Sequence, residues 1–120
     1  MNKEEIKKSL VNTLDALKMA GLQVYDLTQK ELLAKTDYHN HKNLVERLKG
    51  EGLVNGTIVG KNEALRDAAA RTMLASEYAK LDQLEAEMQK VDLELRTAEL
   101  KYSQLKDIFR VLDSLVRLGE

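Results

Sequence analysis

NEALRDAAARTMLASEYAKLDQLEAEMQKVDLELRTAELKYSQLKDIFRVLDSLVRL, residues 62–118, decides the fold. The stretch holds neither Pro nor Gly, so no residue in it is chemically bound to end a helix. At about 1.5 Å per residue a helix of that length reaches roughly 85 Å. Leu74, Leu81, Met88, Leu95, Tyr102, Phe109 and Val116 recur at every seventh residue. Leu84, Val91, Ala98, Leu105 and Leu112 fall between them at alternating steps of three and four. That spacing is the a/d seam of a heptad helix, an apolar stripe made to lie on another helix. The twelve residues are read as an oligomer interface between copies of the chain. The start of the stretch is rich in Ala, which lets a neighbouring helix approach closely. From Ile108 to Leu118 the apolar stripe widens, which calls for more than one neighbour.

Upstream of Asn62 the pattern is more broken. Ile6, Leu10, Leu14 and Leu17 share one face of an amphipathic helix from about Lys3 to Ala20, and Gly21 is placed to cap its end. Thr28 and Glu31 have the spacing of a capping box that opens a short second helix. Asp37 is positioned to cap a third, Tyr38 to Lys49, which Gly50 and Gly52 would end. Leu53 to Val59 surrounds an Asn55-Gly56 pair, the sequence of a tight hairpin or of a loop against the core. Asn62 then caps the long helix. The expected fold is all-α: a small N-terminal helical unit over residues 1–61 and one long coiled-coil helix over 62–120.

Composition narrows the class of protein. The chain has 120 residues, of which 43% are hydrophobic and 32% charged, with five Tyr or Phe, no Trp and no Pro. This is too apolar for disorder, and the core must be aliphatic. A formal net charge of -1 gives no bulk attraction to nucleic acid. Without Cys there is no disulfide, thiolate metal site or thiol nucleophile. No apolar run has signal-peptide or membrane-span length, so no membrane association and a cytoplasmic location are expected.

Catalytic chemistry finds no foothold. His39 and His41 point about 200° apart on a helix and cannot share a helical metal site. The carboxylates of the long helix alternate with Lys and Arg, as in Asp92–Arg96, and read as a solvated face. Gly50-Glu51-Gly52 lacks the continuation of a phosphate loop. No enzyme activity, metal or cofactor is expected. An alternative reading takes three short helices, a small turn and a dimerisation helix as a winged-helix-like DNA-binding regulator. Lys42, Asn43, Arg47, Lys49 and Lys61 would then face DNA.

Gly60-Lys61-Asn62-Glu63 followed by Arg66 resembles a short stretch found in many small proteins of tailed phages and prophages. There it opens a long charged helix. The resemblance implies a phage setting, with a second copy or another phage protein as partner, and supplies no catalytic residue. The reading is a non-catalytic self-association and protein-interaction module.

Overall fold

The apolar residues of the N-terminal half carry a longer rhythm than three short helices need. Ile6, Leu10, Thr13, Leu17, Ala20, Val24 and Leu27 follow one another at alternating steps of four and three, and the steps continue across Glu31 through Ala34, Tyr38, His41, Val45 and Leu48 to Gly52. In the computed structural model, which describes residues 2–119, these positions lie on one uninterrupted helix, α1 (Lys3–Val54). Asn2 caps it, accepting from the Glu5 amide at 2.9 Å and donating to the Glu5 carboxylate at 3.1 Å.

The three expected N-terminal helices are thus one. Gly21 does not cap. It lies within α1, half-buried, where an added Cβ would stand 3.6 Å from the Tyr102 ring. A glycine inside a helix costs about 1 kcal/mol against alanine, less than burial of the flanking Leu17, Ala20 and Val24 returns. Thr28 is no N-cap either. Its hydroxyl donates back to the Val24 carbonyl at 2.7 Å, which holds it within the helix. Asp37 likewise sits mid-helix.

α1 ends where Gly56 takes a φ of +80°, a backbone conformation that a side chain resists. Asn55 accepts from the Thr57 amide at 3.0 Å, and the Ile58 amide donates to the Gly52 carbonyl at 2.9 Å. The Asn-Gly pair therefore turns the chain off a helix end, and among the described residues no strand flanks it. Asn62 caps α2 (Glu63–Met73) as expected, accepting from the Leu65 amide at 2.9 Å. One residue, Leu74, with φ -108° and ψ 33°, separates α2 from α3 (Ala75–Leu118). The helical ladder holds at this joint: the Leu74 amide reaches Ala70 and the Tyr78 amide reaches Leu74. The Thr72 hydroxyl back-bonds to Ala68 at 3.1 Å in the preceding turn, a contact that bends helices. The protein is all-α, and its longest elements are α1 and α3.

The chain divides into two units, and each draws on both halves of the sequence. One comprises Met1–Glu31 with Val91–Glu120. Its core is Ala20, Val91, Leu95, Ala98 and Leu112. The other is Leu32–Lys90, with Val45, Ile58, Ala70 and His41 buried. Within each, the segments run antiparallel. In the first, Gly21 faces Tyr102, and Leu14 and Leu17 share a groove with Phe109. In the second, His41 reaches Glu77 and Lys49 reaches Asp67.

Candidate interaction site

A seam is useful only if its partner seam keeps the same step. In the unit containing the chain ends, α1 offers Ile6, Leu10, Leu17, Ala20, Val24 and Leu27, and α3 offers residues of the heptad set. Of the twelve seam residues, Val91, Leu95, Ala98 and Leu112 are buried and the other eight, from Leu74 to Val116, are half-buried within a single chain. The stripe that the sequence singles out therefore already lies on α1 of the same molecule.

The second unit inserts a polar group into the seam. His41 is 9% exposed, and its Nε2 lies 2.8 Å from the Glu77 carbonyl oxygen. A carbonyl only accepts, so Nε2 is the donor in this bond. The Ser76 hydroxyl, donating at 2.9 Å, and then the backbone hold the Glu77 carboxyl below the usual glutamate range, with His41 adding to the effect. Lys49 donates to the Asp67 carboxylate, and that bond raises its ammonium above the ordinary lysine range. The Lys49–Asp67 bond lies beside the seam, next to Leu48, and ties α1 to α2 at the partly exposed edge of the unit. Ile58 closes this unit, packing so near Gly52 that an added Cβ there would lie 2.5 Å from its Cδ1.

Lys42, Asn43 and Arg47 are exposed on α1, Lys49 is half-buried there, and Lys61 is exposed in the loop. They do not form the outline expected of a DNA reader. Positions 38–49 are part of α1 rather than a separate helix, and no strands build a wing among the described residues. Lys49 is engaged by Asp67, and Arg47 stands 3.8 Å from Glu51. His39 touches the Tyr38 ring edge-on, and among the described residues no three His, Asp or Glu side chains converge to hold a metal.

A different surface stands out. Leu93, Leu100, Ile108, Val111, Leu115 and Leu118 on α3 are 42–83% exposed. They belong to the unit that contains the chain ends. Thr97 and Gln104, also exposed, complete the row. Successive members are three or four residues apart, and no charged residue interrupts them. The sequence reading missed the row because the stronger seam shares the helix. Only the widening from Ile108 onward hinted at it. α1 of the same unit carries exposed Val11, Leu14, Met19, Leu22 and Tyr25, but Asp15 and Lys18 lie among them.

No family model, curated protein or solved structure matches the chain.

Proposed function

We propose that the protein is a non-catalytic helical module whose work is self-association and protein interaction. One observation carries this reading: the uncharged apolar row from Leu93 to Leu118 stands in water although the heptad seam beside it is already covered within the chain. A contiguous exposed patch of large aliphatic side chains marks a surface that another protein covers. The proposed setting is that of a phage or prophage accessory protein, a reading that rests on the resemblance of Gly60 to Arg66 alone. The flanking genes test this, since replication, packaging or tail genes are expected beside it. Light scattering tests the association itself. The expected mass is at least twice the 13.6 kDa of one chain. A mass of one chain at micromolar concentration and above overturns self-association.

A further inference from the structure

The exposed row on α3 has its own period. Leu93, Gln104 and Leu115 are eleven residues apart, as are Thr97 and Ile108, and Leu100 and Val111. At about 100° per residue, the eight positions from Leu93 to Leu118 fall within an arc of about 80°. An eleven-residue step drifts by about 20° in the opposite sense to the seven-residue seam, so the row favours a slight right-handed coil where the seam favours a left-handed one. The row is thus a second packing face with different geometry from the first.

It is also symmetric. About Gln104, the row places Leu100 and Ile108 four residues to either side, Thr97 and Val111 seven, and Leu93 and Leu115 eleven. The Thr97 hydroxyl is already committed to the Leu93 carbonyl at 2.9 Å, so its methyl is what remains for packing. From Leu93 to Leu115 the two halves of the face match in spacing and in apolar chemistry, which makes that part self-complementary under a two-fold axis, the requirement for an isologous dimer. Resting on the self-association proposed above, we infer that the occupant of this face is α3 of a second copy, antiparallel, with the two-fold axis passing at Gln104. Each layer then pairs one residue with its opposite number: Leu93 with Leu115, Thr97 with Val111, Leu100 with Ile108. Gln104 meets its own copy on the axis. A primary amide both donates and accepts, so two of them satisfy each other where any single-sign charge would repel. From Leu93 to Leu115 no carboxylate or ammonium has to be desolvated, and beyond it Leu118 meets Lys90, whose aliphatic stem can pack while its ammonium stays in water.

The chain has no Cys, so a single introduced thiol reports only this contact. In the full-length protein, Gln104→Cys is expected to form a disulfide-linked dimer under mild oxidation. Leu93→Cys or Leu115→Cys alone is expected to stay monomeric on a non-reducing gel, while a mixture of the two cross-links. Ile108→Glu is expected to raise the dimer dissociation constant by more than about 100-fold, as burial of an unpaired charge does, with helicity by circular dichroism unchanged. Self-cross-linking of Leu93→Cys and Leu115→Cys separately would mean a parallel pair and overturn the inference. So would a dimeric mass that neither cross-links through Gln104→Cys nor responds to Ile108→Glu. That result leaves self-association standing through another face, whereas a single-chain mass for the unmodified protein removes both readings.

Discussion

Adjacent residues on α3 meet opposite environments, and their substitutions should separate accordingly. Leu95 is 7% exposed in the core of its unit, whereas the Arg96 side chain lies in solvent, 3.1 Å from Asp92. Leu95→Ala is expected to lower unfolding free energy by about 2–5 kcal/mol, the range for a truncated core leucine. Arg96→Ala should cost no more than about 0.5 kcal/mol, the worth of an exposed pair one helical turn apart. Urea titration of both variants checks the contrast. Glu77 belongs at this scale too. Its carboxyl is held below the ordinary value in the folded chain, so its contribution is present above the unfolded-state pKa. That contribution fades as pH falls through the lower folded-state value. The stability advantage of the native protein over Glu77→Gln should therefore shrink on acidification below the usual glutamate range. Lys49 is the mirror case: its raised pKa gives stability that is lost only as pH climbs past the lysine range.

The helices themselves depend on what their glycines face. Gly50 has open space around the position of a Cβ, on an exposed part of α1. Gly50→Ala should therefore stabilise by about 0.5–1 kcal/mol through lower unfolded-state entropy. Gly60 is the reverse: a Cβ there would lie 2.7 Å from the Arg66 amide nitrogen and 2.9 Å from the Leu65 carbonyl carbon, and backbone does not step aside. Gly60→Ala should lower the melting temperature where Gly50→Ala raises it. These glycines also explain what the sequence concealed. The α3 seam is legible because eleven of its twelve positions carry large apolar side chains, and Ala98 is the exception. The α1 seam has the same step, but Thr13, Glu31, Ala34, His41 and Gly52 occupy places where Leu would have announced it. Glycines read locally as stops are overridden by a pairing that only the distant half of the chain supplies. The joint at Leu74 had no local signal, since neither Pro nor Gly stands there. The Asn62 cap was readable because its partner lies three residues away.

For the molecule as a whole, a net charge of -1 leaves little repulsion between copies. The row proposed as the dimer contact holds no ionised side chain from Leu93 to Leu115, with Lys90 opposite Leu118 at its ends. Association through it should be driven by apolar burial and so persist from low to high salt, unlike an assembly held by ion pairs. Sedimentation across a salt series checks this: a mass that falls steeply with added salt would point to a charged face instead.

The turn from Asn55 to Asn62 lies between helices, and it offers an exposed Lys61 to a protease. Both units combine a segment from before that turn with one from after it. Trypsin at low dose should cleave after Lys61 well before the helical lysines and arginines, leaving peptides of 61 and 59 residues. The seams and the Lys49–Asp67 and His41–Glu77 bonds do not need the severed peptide link, so the two pieces should migrate together on a native gel. The gene could accordingly be divided at this codon, and the halves used as a split pair that regains its fold by complementation.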